Sequence, residues 1–309
     1  MTPKILVLYY SQSGQLRDIL DSLLLDIKDK AEIDIVQFHP EKAFPFPWTA
    51  YTFFDAMPET VERIALPIKP LPQNILDKNY DLVILGYQPW FLNPSQPTTG
   101  FLKSEWAAKL LKDKPMVTVV GCRNMWLHGQ EKVKEDLNSL GAKLVGNIVF
   151  LDTNPNLISL LTVIRWAFKG QKEASGMLPA AGVQDVDIAG AKRFGPVISE
   201  HIAKHNLDTL QSALLDKGSI SLNPGLVLLE QRGIKNFRYW AKFIREKGGP
   251  GDPNRKGRVK LFQRLLLTAI FILSPLSSLT AAIKLQLKKK SLLKDVEYFK
   301  GVRYEKGRI

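Results

Sequence analysis

Apolar residues in the first half of the chain recur with two different periods. Ile5 to Tyr10, Tyr80 to Gly86 and Met116 to Gly121 are near-continuous apolar runs of strand length. Glu32 to His39 alternates, with Ile33, Ile35 and Phe38 expected to face inward, and Ala142 to Phe150 reads as a fifth strand. Between these runs the spacing changes to three and four residues. Leu16, Ile19, Leu20, Leu23, Leu24 and Ile27 predict a helix from Gln15 to Lys30, and further helices are expected over Thr98 to Leu111 and Gln130 to Leu140. Strand and helix alternating in this way predict an α/β fold with a doubly wound, five-stranded parallel sheet and right-handed crossovers.

Beyond the last strand, Asn156 to Lys169 and Ile188 to Asn206 predict helices, one of which should close the second face of the sheet, with Gly176 to Gly182 as a small-residue link. Leu207 to Arg232 shows no clear period and reads as a bridge with a turn at Asn223-Pro224-Gly225. The expected division is a domain over 1–206, a linker over 207–254 and a tail over 255–309. One segment inside the domain breaks the alternation. Residues 39–79 hold seven prolines together with Phe44, Phe46, Trp48, Tyr51, Phe53 and Phe54. That many prolines exclude one continuous helix or central strand. Long loops in compact domains are functional or disordered, and the aromatic content argues for order. The segment therefore reads as a lid or wall over an apolar ligand, or as an insertion that merely fills core.

Candidate chemistry lies where the strands end. Ser11-Gln12-Ser13-Gly14-Gln15-Leu16 joins the first strand to the first helix, so that backbone N–H groups and the positive helix end converge. The stretch lacks the Lys of a nucleotide triphosphate loop, and its single Gly cannot make the turn of a dinucleotide-binding loop. A hydroxyl-lined cradle for one monophosphate remains; an ordinary polar turn is the alternative. The pattern resembles the first loop of flavodoxin-like proteins, which wraps the phosphate of FMN. Ser11, Ser13 and Gly14 match it, whereas Leu16 stands where that family usually has a hydroxyl. The resemblance implies a sheet order 2-1-3-4-5 and two more loops at the flavin. Gln88, Pro89, Trp90, Phe91 and Asn93 would cover a ring face, with Trp90 stacked. Gly121, Cys122, Arg123, Asn124 and Trp126 would meet the polar edge. Trp90 and Trp126 read equally as core aromatics, and Cys122 reads as a small apolar residue rather than a nucleophile. Among the four histidines, His128 falls in the third loop, where imidazole can move a proton. His201 and His205 have a helical metal-ligand spacing without a third ligand and read as a solvated face.

Charge is placed unevenly along the chain. From Arg232 onward there are 20 Lys and Arg against 5 Asp and Glu; the residues before it balance to within two charges. The single cysteine excludes an internal disulfide framework and fits a reducing compartment, and no secretory leader is expected ahead of the first strand. Leu265 to Ile283 is uncharged for 19 residues, interrupted by Pro275, with Lys and Arg on both sides. Basic flanks at both ends do not orient a span. They suit a segment that enters the cytoplasmic leaflet and returns, its lysines on inner-leaflet lipids; a single span and a helical hairpin buried in a homodimer are the alternatives. Cations flanking an apolar run do not make a nucleic-acid surface.

Taken whole, YYSQSGQL, GYQPWFLNPSQPTTGFLKS, GCRNMWLHGQEK and the basic, apolar extension resemble the flavodoxin-like aromatase/condensing proteins of bacterial dialkylresorcinol and aryl-polyene lipid clusters. The resemblance implies FMN-dependent oxidation of a dialkyl-cyclohexane-1,3-dione to a resorcinol at the membrane, with His128, Tyr51 and Tyr87 as candidates for the base. A membrane NAD(P)H:quinone reductase, a flavodoxin-type electron carrier and a flavin-free scaffold are the competing readings.

Overall fold

A computed structural model describes residues 2–273 and 289–308. Five strands form one parallel sheet: β1 (Lys4–Tyr9), β2 (Glu32–Gln37), β3 (Leu82–Tyr87), β6 (Pro115–Cys122) and β7 (Lys143–Leu151), in the order β2-β1-β3-β6-β7. Two-residue strands β4 (Pro89–Trp90) and β5 (Asn93–Pro94) form a separate antiparallel hairpin. Without that hairpin the order is 2-1-3-4-5, which makes this a flavodoxin-like doubly wound fold.

Residue parity divides the core into two layers. Ile5, Val7, Leu82, Ile84, Val117 and Val119 pack beneath α1 (Gln15–Leu24) and, later in the chain, α9 (Asp185–Ala189), α10 (Phe194–Ala203) and α11 (Leu210–Asp216). Leu6, Leu8, Val83, Leu85, Met116 and Val120 pack on the opposite face. There they meet α4 (Gln73–Leu76), α5 (Gln96–Leu102), α6 (Glu105–Leu111), α7 (Leu127–Ser139) and a C-terminal helix, Lys289–Lys300. Phe38, expected beside Ile33 and Ile35, lies in the opposite layer with Val36, because it is three residues beyond Ile35. The helix expected over 98–111 is broken into α5 and α6. Ser104 stops the first by donating to the Phe101 carbonyl and starts the second by accepting from the Ala107 N–H.

The largest departure concerns 207–254, which is not a linker. α11 closes the sheet, and α12 (Pro224–Arg245) is a 22-residue helix laid across the other face. The expected turn at Asn223-Pro224-Gly225 is its start: the Asn223 side chain accepts from the Gly225 N–H and Pro224 occupies the first turn.

Residues 39–79 form a fixed wall. Two short helices, α2 (Ala50–Asp55) and α3 (Met57–Val61), place Phe54, Met57 and Val61 against Ala241, Ile244, Val259 and Phe262. These partners come from α12 and from α13 (Lys256–Thr268). Arg255, fully buried, ties the two parts together through Asp55 (2.7 Å) and both oxygens of Glu59 (2.9 and 3.1 Å). α8 (Asn156–Lys169) approaches the wall from the other side, where the Trp48 N–H donates to the Ala167 carbonyl (2.8 Å). α13 passes into a π-helical turn over Ala269–Leu273. The rest of the apolar run Leu265 to Ile283, with its Pro275, lies outside the described residues. No helix among the described residues is long and apolar enough to cross a membrane.

Candidate functional site

Strands β1, β3 and β6 are neighbours in register, Tyr9 beside Gly86 and Tyr87 beside Val120, so the loops that follow them emerge side by side at the carboxyl edge. That edge is where open α/β sheets take ligands.

The first loop is held open from within. Gly14 adopts φ 88°, and its N–H donates to Ser11 Oγ (3.0 Å). A Cβ on Gly14 would meet nothing within 4 Å, so the space beside it is free. The Gln12 N–H donates to Gln88 Oε1 (3.2 Å), the Gln12 amide donates to the Pro45 carbonyl (2.9 Å), and the Tyr10 hydroxyl donates to Gln12 Oε1. Gln12 therefore ties the first loop to the second and to the wall. Gln15 is spent on structure: its side chain donates to the Val183 carbonyl and accepts from the Val183 N–H, both at 2.9 Å. The Leu16 side chain is in the core. The N–H groups of Ser13, Gln15 and Leu16 and the Ser13 hydroxyl have no partner among the described residues. They sit at the start of α1, where first-turn donors are left over by the helix itself.

The second loop is the β4–β5 hairpin. Phe91 (φ 47°) and Leu92 (φ 66°) form a left-handed two-residue turn without glycine. Such a turn costs non-glycine residues strain and is retained by what surrounds it. Here Phe91 packs on Phe53 (4.9 Å) and Phe237 (6.0 Å), and Leu92 is buried with its carbonyl bonded to His128 Nδ1 (2.8 Å). Asn93 donates to the Phe91 carbonyl (3.1 Å) and is buried. Trp90 is half-buried, and edges of three rings meet it: Tyr10 (6.1 Å), Phe44 (5.2 Å) and Trp48 (5.4 Å). Pro89 packs toward Gly129.

The third loop leans on α8. Arg123 donates to the Asn156 carbonyl (3.1 Å) and Oδ1 (2.8 Å), and Asn124 donates to the same Oδ1 (3.1 Å). The carbonyls of Cys122 and Arg123 accept from the Asp152 N–H. Gly121 faces Leu16 and Ile19 of α1. Burial holds the Cys122 thiol well above its usual range, consistent with an inert apolar residue. Trp126 is fully buried in the core and does not reach the mouth of the loops.

The three candidates for a base are not brought together. Tyr87 is sealed; its hydroxyl donates to Gln130 Oε1 (2.7 Å), Gln130 donates to Thr118 Oγ1 (2.9 Å), and Thr118 donates to Asn147 Oδ1 (2.9 Å). Burial raises the Tyr87 hydroxyl far above its ordinary value. His128 is 2 % exposed, and burial lowers its pKa to about 4. Its Nδ1–H donates to Leu92, and Arg238 donates to its Nε2 (3.4 Å), so the ring is neutral and engaged on both sides. It locks α7 to the hairpin rather than opening onto the cleft. Tyr51 is half-buried on α2, beside Phe53 and 5.8 Å from the Lys256 ammonium; burial first, then nearby Asp55, raises its hydroxyl.

Sequence reasoning missed Glu230 on α12. Its buried carboxylate accepts from the Leu127 N–H (3.0 Å) and the His128 N–H (2.8 Å), capping α7 where the third loop ends. Desolvation raises its pKa to about 7 against the pull of those N–H bonds. Nothing near Glu230 in sequence signals the role, since its partners are over one hundred residues earlier.

Aromatic rings continue outward from Trp90. Trp48 touches Phe53 (5.8 Å), Phe53 touches Phe168 (5.6 Å) and Phe91, and Phe237 touches Phe262 (5.9 Å). Phe53, Phe91, Phe168 and Phe237 are only half-buried. A row of partly open rings thus runs from the first loop to the α12–α13 pair.

No protein-family model matches the chain, and no curated protein matches it. Solved structures that are similar include a flavoprotein in complex with FMN from Lactobacillus acidophilus, at 18% identity over 48% of this chain and 93% of that one, with a TM-score of 0.36. An oxidised flavodoxin 1 from Bacillus cereus gives 18% identity, 65% and 98% coverage and a TM-score of 0.34. A flavodoxin from the domain Archaea gives 14%, 65% and 99%, and 0.37. At these scores the fold assignment rests on strand order and register.

Proposed function

We propose that this chain is an FMN-dependent oxidoreductase for an apolar ring substrate, and that its reaction is the aromatisation of a dialkyl-cyclohexane-1,3-dione to a dialkylresorcinol. The observation that carries the reading is the union of an anion cradle at the start of α1 with the row of half-buried rings that starts beside it. The residues present fit a flavin monophosphate. Three N–H groups and a hydroxyl without partners, next to open space at Gly14, suit the phosphate; Trp90 and its ring neighbours suit a flat aromatic system.

Bound there, FMN would supply a two-electron acceptor. The chain's own part is to hold, orient and desolvate. Ser13, Gln15 and Leu16 would hold the phosphate by backbone N–H groups, and the Ser13 hydroxyl would add a donor. Trp48, Phe44 and Trp90 exclude water, and Phe53, Phe91, Phe168 and Phe237 accept alkyl groups, since burying apolar surface is what such rings reward. Tyr51, with its hydroxyl kept protonated by burial and Asp55, would donate to a ring carbonyl oxygen of the substrate. Neither Tyr87 nor His128 takes a proton from substrate in this scheme, because both are buried and already bonded; the acidic proton between the two carbonyls would be lost to water before binding, so that the bound enolate gives up only a hydride and tautomerises to the resorcinol.

The first test is the visible spectrum of the full chain purified in mild detergent, with released chromophore identified by mass. Oxidised-flavin bands with FMN released, and anaerobic bleaching on adding a dialkyl-cyclohexane-1,3-dione, support the whole reading. Bleaching by NAD(P)H with recovery on adding a quinone assigns quinone reduction instead. Bands that answer to neither leave an electron carrier. A colourless protein that takes up no FMN sinks every redox reading.

A further inference from the structure

α13 and the C-terminal helix Lys289–Lys300 are both fastened to one folded body. α13 is fastened at its start by Arg255 on Asp55 and Glu59, and along its length by Val259 and Phe262. The C-terminal helix is fastened to the same body. Leu292 and Phe299 are in the α7 side of the core, the Tyr298 hydroxyl donates to Glu131 (2.7 Å), Lys134 donates to the Arg303 carbonyl (3.1 Å), and Gln211 donates to the Lys300 carbonyl (2.7 Å).

α13, with the π-helical turn that follows it, shows a mixed face: Leu261 (45 %), Leu265 (46 %) and Phe271 (38 %) are exposed, and Lys260 and Arg264 are exposed beside them at helical spacing. Apolar side chains flanked by cations suit the boundary between lipid headgroups and acyl chains, the cations lying on phosphates. The charge of the chain from Arg232 onward, 20 cationic against 5 anionic residues, acts in the same sense.

We propose that the exposed face of α13 docks on an anionic lipid leaflet. The proposal goes beyond the flavin reading and stands without it. If both hold, Phe262, the inward anchor of α13, is where the aromatic row reaches the docked helix.

Co-sedimentation of the full chain with phosphatidylcholine vesicles, with and without phosphatidylglycerol, tests it. Binding is expected only with phosphatidylglycerol and should fall as salt rises. Lys260→Gln with Arg264→Gln should weaken it about 25-fold, at about fivefold for each cation removed. Leu261→Ser with Leu265→Ser should weaken it about tenfold or more. All four positions are exposed, so an unchanged unfolding midpoint serves as the folding control. Equal binding to neutral vesicles, no binding at all, or a dimer in solution that the leucine substitutions abolish while vesicle binding is absent, overturns the docking surface. These readouts need no flavin, so their failure is separate from failure of the proposed activity.

Discussion

Glu230 is one carboxylate that fixes the end of the third loop, where it enters α7. Its folded-state pKa of about 7 lies above the ordinary carboxylate value, so the folded protein binds its proton more tightly than the unfolded chain does. Stability from this group is full below the ordinary carboxylate range and is lost as pH rises toward and through 7. Glu230→Gln removes that titration; urea unfolding should show the loss between about pH 5 and pH 8 reduced by about 2 kcal/mol against the parent chain. Equal pH slopes in the two proteins would mean that Glu230 is not so perturbed. Ser13→Ala is expected to weaken FMN binding about tenfold by fluorescence titration, one charge-assisted hydrogen bond being lost. Gln15→Leu is expected instead to cost about 2 kcal/mol of stability through its two bonds to Val183. The turn of the first loop was legible in the sequence because the Ser11 hydroxyl and the Gly14 N–H meet within four residues. Glu230 was not, because a cap supplied 102 residues away leaves no local pattern, and the loss of His128 as a base follows from contacts with Leu92 and Arg238 that only packing creates.

The strands could be read from apolar runs and alternation, since β1, β3, β6 and most of β7 are buried on both faces; their order was implied by the resemblance of the first loop to flavodoxin-like proteins. Helices that borrow their partners from far away could not be read in this way. α12 interrupts its apolar positions with Gln231, Arg232, Gly233 and Lys235, and its inward stripe divides between distant partners: Val227 packs into the α7 side of the core, Ala241 and Ile244 against α3 and α13. The wall of residues 39–79 was visible as aromatic and ordered, but its attachment to Arg255 spans 196 and 200 residues. That attachment has a measurable size. Removing one partner from a buried ion cluster leaves the others unpaired, at a cost of about 3–5 kcal/mol. Arg255→Met should therefore lower stability by about that amount and expose the 50–61 region to limited proteolysis before the sheet unfolds. Cleavage and unfolding midpoints matching the parent would show that the wall is held by its apolar contacts alone.

At the scale of the molecule, the aromatic row joins three separate parts: the loop after β1, the wall, and the α12–α13 pair. A row that merely filled core would be closed to solvent, whereas Phe53, Phe91, Phe168 and Phe237 are each half-buried. If the row seats alkyl chains, its far end should matter only to substrates long enough to reach it. Phe237 is at that end, between Phe91 and Phe262, and remote from the cradle. Phe237→Ala should raise KM for a long-chain dialkyl-cyclohexane-1,3-dione by about tenfold, the worth of one partly buried ring, while KM for a short-chain homologue and kcat for both stay within a factor of about two. Trp90→Ala, next to the cradle, should impair both homologues alike. The contrast separates a track from a scaffold: loss of folding would depress both substrates through Phe237 as well, and a ring that touches no substrate would change neither. A uniform loss on Phe237→Ala, or none, would confine substrate to the neighbourhood of Trp90 and leave the outer rings to pack the wall against α12.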